Sequence, residues 1–443
     1  MKKKSIVVSF SGKFIAALII LLMVLPQVVL AADIKSFNSE LDTAIVFAGD
    51  VQQGNNTMRA NLPSGFDYTL CYRYLSMLYR DSYVFEYIPS PINAYIKVSY
   101  NNEAKHWEAE QQAARLAGEI LDDSMTDLQK FKAIHTYLID NCEYDMHAAL
   151  NQATETGDAF SAYGALVNGL AVCDGLSSAF AMICRSAGLP CVYVASPEMN
   201  HSWNAVLYKG EVRYIDVTYD LTGNTSEKYF MLTENELSAD HNWDKTMVKS
   251  LTSKIWDERY VSAYTLNRLG GLFRGSDKGW ELDRNPTRAE AAIMLIRFLG
   301  LEDEVLSADT ALDMPFKDVG QNYAPYVAAL YELGLTNGTS STTFSPDSEV
   351  RLQDYITLML RALDFKEDKD QFEWQSAPED ALGLGVIDQQ QYDYLEESVF
   401  DRGMMAYVSL IVLKADDANG VPLYQTLLAS HVFDLKNIEE NLI

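Results

Sequence analysis

Residues 171–190 read AVCDGLSSAFAMICRSAGLP, and this stretch decides the fold of the central part of the chain. Leu176, Phe180 and Ile183 recur at i, i+4 and i+7, one face of a helix, and Gly188 followed by Pro190 stops it. Cys173 therefore stands at or just before the first helical turn. Unpaired N–H groups and the helix dipole favour a thiolate there, and the same N–H groups suit a developing oxyanion. Beyond Pro190, residues 191–195, 202–208 and 212–218 read as strands, the last two joined across Lys209-Gly210. A two-residue loop sets Tyr208 opposite Glu211, Trp203 opposite Asp216 and His201 opposite Thr218, so that His201 and Asp216 are diagonal neighbours on one face. A bulge at Gly210 would shift that register, and Lys209 is an awkward occupant of the left-handed first position of the turn.

Cys173, His201 and Asp216 follow one another as nucleophile, base and orienting acid, the set that thiol acyl transfer requires. Each alone has a structural reading: a helix-start cysteine, a satisfied polar histidine, a capping acid. Their conjunction carries the functional one. The words Cys173-Asp174-Gly175, His201-Ser202-Trp203-Asn204 and Tyr214-Ile215-Asp216-Val217-Thr218-Tyr219-Asp220 resemble three signature blocks of the bacterial transglutaminase-like superfamily. Ile134-His135 to Tyr144-Asp145 and Tyr229-Phe230-Met231 add to the likeness, which covers about residues 130–243. The resemblance implies an α+β, papain-like core, with the cysteine helix packed on an antiparallel sheet that carries the histidine and the acid. It implies Cys173 as nucleophile, His201 as general base and later acid, and Asp216 as the group that fixes the imidazole tautomer. Tyr219 stands where many relatives have tryptophan. The chain has no dense acidic loop like that of the calcium-dependent animal enzymes, so neither metal nor cofactor is inferred. The mixed-sign run at 364–370 reads as a solvated loop.

The C-terminal part repeats. Gly271-Leu272, Gly334-Leu335 and Gly385-Val386 each precede an arginine, Arg288, Arg351 or Arg402, by the same 17 residues. An amphipathic helix pattern follows each arginine, clearest in Leu352, Tyr355, Ile356, Met359, Leu360 and Leu363, and another precedes each glycine pair, best seen over 324–333. The middle copy, with Phe316-Lys317-Asp318-Val319, Leu333-Gly334-Leu335, Asn337-Gly338, Phe344-Ser345-Pro346 and Arg351, resembles an S-layer homology (SLH) repeat. The first copy keeps Pro286-Thr287-Arg288-Ala289-Glu290 and the third Phe400-Asp401-Arg402. The resemblance implies an all-α, three-repeat module that binds an anionic secondary cell-wall polymer, with Arg288, Arg351 and Arg402 as carboxylate-binding forks. The alternative is that these arginines pair with neighbouring acids and only tie the lobes together.

Lys2, Lys3 and Lys4, the apolar run 14–29 and the small residues at 30–32 read as a secretory signal peptide, and no later segment is apolar enough to span a membrane. The organisation expected is a signal peptide at 1–32, an N-terminal α/β region at 33–115, a transglutaminase-like domain at 116–252, three SLH-like repeats at 253–425 and a tail at 426–443. The formal charge of −27 grows four units more negative once Lys2, Lys3, Lys4 and Lys13 are removed. Such a surface makes nucleic acid and anionic membranes poor partners. Five cysteines are an odd number and too few for a disulfide framework. They allow either two disulfides, with Cys184 and Cys191 as one candidate pair, or buried reduced thiols throughout. The expectation is a secreted enzyme of the wall of a Gram-positive-type bacterium, cleaving or transferring peptide or amide bonds. The other class is an inactive transglutaminase-like adaptor of the cell surface.

Overall fold

The structure, a computed structural model, describes residues 34–80, 83–89, 94–122, 124–151, 157–275, 279–307, 314–368, 370–429 and 438. The expected signal peptide, and the expected tail beyond 429 save residue 438, lie outside the described residues. The chain divides near residue 251 into two units. No described helix is long and apolar enough to cross a membrane.

In the first unit the helix around which the rest assembles is Cys173–Ser186. Leu176, Phe180 and Ile183 are fully buried, each such side chain contributing roughly 1.5–3 kcal/mol. The small Ser178 and Ala179 are buried as well, leaving room for close neighbours. Numbering helices in chain order as α1 (Glu40–Gln52), α2 (Tyr68–Leu78), α3 (Glu103–Ile120), α4 (Asp127–Asn141) and α5 (Cys173–Ser186), α5 packs on α3 and α4. It ends where Gly188 takes a φ of +63°, which lets Leu189 N–H bond Cys184 O at 2.8 Å. Thr126 caps the start of α4, with Gln129 completing a reciprocal capping box.

Four strands, β1 (Lys35–Ser36), β2 (Thr57–Asn61), β3 (Tyr83–Ile88) and β4 (Ala94–Tyr100), form a sheet ordered β1-β2-β4-β3. Beside it α1 packs on α2, with Phe47, Leu75 and Ile96 fully buried. A second sheet, ordered β5-β6-β7, is built from β5 (Cys191–Ser196), β6 (His201–Tyr208) and β7 (Glu211–Ile215), and both α2 and α5 contact β5. β5 and β6 are antiparallel, from Cys191 opposite Val206 to Ser196 opposite His201. Lys209 and Gly210 join β6 to β7 with φ of +51° and +77°. Both central positions are thus left-handed, and the lysine bears a cost of roughly 1–2 kcal/mol. All five cysteines are free, so Cys184 and Cys191 form no bridge.

The expected strand at 212–218 is corrected at its end. β7 stops at Ile215, because Asp216 caps a new helix, α6 (Val217–Gly223), by accepting a hydrogen bond from Tyr219 N at 3.0 Å. Satisfying an orphan N–H of the helix start outweighs the strand preference of Val217 and Thr218. Thr218 is therefore helical and does not face His201 across a ladder.

The second unit contains three helix–loop–helix segments: α7 (Glu258–Arg268) with α8 (Arg288–Phe298), α9 (Ala324–Glu332) with α10 (Leu352–Ala362), and α11 (Ala377–Gly383) with α12 (Arg402–Lys414). Glycine recurs after each first helix because Gly271, Gly334 and Gly385 all adopt left-handed φ, +70°, +71° and +74°. The second helix of each segment packs on the first helix of the next, α8 on α9 and α10 on α11, and α7 packs on α12 to close a ring. Tyr355, Met359, Leu360 and Leu363 are buried in one core with Leu295, Phe298 and Leu413.

Candidate functional site

Cys173 is the first residue of α5, following the extended Val172 whose N–H is taken by Ala159 O at 3.0 Å. Gly175, one turn position on, has no space for a side chain. A Cβ there would sit 2.9 Å from both Ala171 Cβ and Ser161 O, and closer still to Ala159 O. Between them Asp174 works as a tie. Its carboxylate accepts from Ser202 Oγ at 3.1 Å, from the Tyr193 hydroxyl and from Arg80 Nη2 at 3.1 Å. The start of the cysteine helix is thereby fixed to β5, to β6 and to the residues just after α2.

His201 opens β6, and its Nε2 donates to Asp216 Oδ2 at 2.7 Å. Nδ1 is left as the nitrogen for the Cys173 thiol, which lines the same cleft. Burial pulls the His201 pKa down, but the Asp216 hydrogen bond and charge, together with Cys173, push harder and raise it to about 9. For Asp216, burial pushes the carboxyl up, and hydrogen bonds from His201 and His241 outweigh it and hold the group below the usual carboxylate range. The three residues singled out from the sequence are thus brought together.

His241 was not foreseen. Its Nε2 bonds the same Asp216 Oδ2 at 2.9 Å, and its Nδ1 bonds Asp240 Oδ1 at 2.7 Å. A row of groups therefore runs Asp240, His241, Asp216, His201, Cys173. Aromatic rings wall it in: Tyr219 stacks on His201 at 4.7 Å between centroids, and Trp203 meets His241 edge-on at 4.9 Å. His201, Asp216 and His241 offer ligand atoms within 4.8 Å of one another, close enough for a metal ion. Those atoms are already engaged with each other by hydrogen bonds, and Asp216 and His241 side chains are wholly buried. The donor set thus fits a proton-holding row better than an ion. No motif marks His241 in the sequence, since it arrives from an irregular segment 25 residues beyond Asp216.

Cys173 and His201 open into a cleft of about 370 Å³, with Tyr144, Phe160, Tyr193 and Asn200 on its walls. Cys173 itself is 9% exposed.

In the second unit, Arg288 and Arg351 line one cavity of about 480 Å³ with Arg361, Asn337, Thr339 and Trp374. Arg288 donates through Nε to Phe344 O at 2.8 Å and lies 4.8 Å over the Phe344 ring. Arg351, its side chain 63% exposed, is paired with Asp354 and lies 5.4 Å from the Trp374 ring centroid. Arg361, not marked by the repeat, donates to Leu335 O at 2.7 Å. Arg402 is elsewhere and 6% exposed. It donates to Glu290, Trp280 O and Arg274 O at 2.8, 3.1 and 3.1 Å, and its backbone N–H bonds Arg284 O. It ties segments of the ring together, the second of the two readings open for these arginines.

Two family models match the chain: Transglutaminase-like superfamily over residues 114–265 and S-layer homology domain over residues 315–356. A "Kyphoscoliosis peptidase" of Homo sapiens is 30% identical over 188 residues, 39% of this chain and 24% of that protein. The Mus musculus protein of the same name is 29% identical over 133 residues, 26% of this chain and 20% of its own. A "Cell surface protein" of Thermoanaerobacter kivui is 35% identical over 117 residues, 25% of this chain and 15% of its own. The matched stretches span at most about a quarter of the length of these three relatives.

Proposed function

We propose, for a chain that joins a transglutaminase-like domain to an S-layer homology domain, that it is a cell-surface thiol enzyme acting on peptide or amide bonds. The observation that carries this reading is a helix-start Cys173 that shares one cleft with His201, itself bonded to Asp216 at 2.7 Å. Cys173 sulfur adds to the carbonyl carbon, and first-turn N–H groups of α5 receive the charge on the oxygen. Protonated His201 gives its proton to the departing amine as the C–N bond breaks, leaving a thioester. Neutral His201 then takes a proton from water, which attacks the thioester; the C–S bond breaks and the acid leaves. Asp216 keeps Nε2 protonated, so that Nδ1 faces the sulfur. With an amine in place of water, the same steps transfer the acyl group.

Holding at the wall is assigned to the second unit. Arg288, Arg351 and Arg361 line one cavity together with Glu349, Asp354 and Glu367; Arg351 is paired with Asp354 and Arg361 with Glu367, so an anionic polymer would compete for these guanidinium forks, with Trp374 as a face for a sugar ring. Two experiments test the pair of claims. Alkylation of Cys173 across pH should be faster than at Cys71 or Cys142 and should collapse in His201→Ala; equal rates would leave an inactive adaptor. Sedimentation with purified walls should fail after removal of their anionic polymer and weaken in Arg351→Ala; retention without the polymer refutes the anchoring.

A further inference from the structure

A second cavity adjoins the catalytic cleft. It measures about 210 Å³ and shares Arg80, Tyr193, Ala195 and Pro197 with the cleft that holds Cys173. The N-terminal region builds one wall through α2, which supplies Tyr72 and Met77. β5 supplies Val194, and Trp243 and Met247 close the far side. We infer that this cavity is a substrate subsite that takes one apolar or aromatic side chain of the peptide whose carbonyl lies at Cys173. The inference rests on the thiol-enzyme reading above and adds its substrate class.

Three observations carry it. The four shared residues set the cavity directly beside the cleft, so a chain lying over Cys173 passes next to it. Its size is below the roughly 300–1,000 Å³ of small-molecule sites and suits a single large side chain. Its chemistry is apolar: Met77, Val194, Trp243 and Met247 are buried. The charges on its lining are already paired, Arg73 with Asp244 at 3.2 Å and Arg80 with Asp174 at 3.1 Å, so a charged side chain entering there must compete with these pairs and loses its water. The region at 33–115 thus acquires a role, as half of a specificity pocket rather than a spacer.

The test uses the whole mature chain carrying Cys173→Ala, with methionine methyl groups labelled for NMR. Capped tripeptides with central Phe, Leu, Ala or Glu are titrated in. The Phe or Leu peptide should shift the Met77 and Met247 methyl signals and bind at least about 10-fold more tightly than the Ala or Glu peptide. Met247→Phe, which fills the cavity, should reduce that ratio to about one; its melting profile reports whether it folds. Equal affinities in the parent, methyl signals that do not move, or a preference that survives in folded Met247→Phe overturn the subsite. A parallel arm on the chain with Cys173 intact compares chloromethyl ketones bearing the same side chains with iodoacetamide, which needs no subsite. Slow, unselective iodoacetamide labelling overturns the enzyme reading while the binding arm still judges the pocket.

Discussion

Asp216→Asn removes one charge from the site and little of its shape. Asn Oδ1 can still accept from Tyr219 N and cap α6, but the amide nitrogen replacing Oδ2 is a donor and meets the donors of His201 and His241. In the parent protein His201 is raised from 6.5 to about 9, which corresponds to roughly 3 kcal/mol in favour of the imidazolium. Because the folded value lies above the unfolded one, that stabilisation is complete below about pH 6.5 and lost as pH rises through about 9. Without the carboxylate, burial is opposed only by Cys173, and the His201 midpoint should fall by about 2 units. The assay is an NMR titration of the His201 ring, with chemical denaturation at pH 6 and pH 10. The facing donors should make the variant less stable than the parent at both pH values, and the loss should be larger by roughly 3 kcal/mol at the lower pH. A His201 midpoint still near 9, or a stability loss independent of pH, would refute the assignment of Asp216 as the group that holds the imidazolium.

His241→Phe takes away one of two imidazole donors to Asp216, so the pH profile of Cys173 alkylation should differ from that of the parent; an unchanged profile removes His241 from the row. Gly175→Ala forces a methyl group against Ala159, Ser161 and Ala171 and should cost about 1–3 kcal/mol in denaturant titration; neutrality there means the first turn of α5 has slack. Burial pushes Cys71 and Cys142 up to about 12, so peptide mapping after native alkylation at pH 8 should find label on Cys173 and none on those two until the chain is unfolded. Arg402→Ala should cost about 2–3 kcal/mol, since it leaves Trp280 O and Arg274 O without their donor although Glu290 keeps Arg284, whereas Arg351→Ala should cost at most about 1 kcal/mol and act on polymer retention; the reverse ranking would contradict the burial of Arg402.

How far the site could be read from the chain differs residue by residue. The helix of Cys173 was legible because its buried face repeats at helical spacing and its end is punctuated by Gly188. His201 and Asp216 were placed together by the hairpin, although Asp216 reaches His201 from a helix cap rather than a strand; β-branched Val217 and Thr218 gave a strand signal that the cap overrode. His241 was not legible, since long-range approach of an irregular segment leaves no period to detect. Arg351 and Arg402 occupy equal places in the repeat yet differ in burial. Spacing reports the helix each one begins, and only packing shows that Arg402 is enclosed by Phe273, Trp280 and Glu290.

The closure of α7 upon α12 has a consequence in time. A chain synthesised from its N-terminus presents α7 first of these six helices and the one that must cover it last of the six. Until α12 arrives, the apolar side of α7 has no partner, and bringing the two together pays the entropy of closing nearly the whole unit into one loop. The second unit therefore locks only after α12 has emerged. Loss of that segment would undo the first helix as surely as the last.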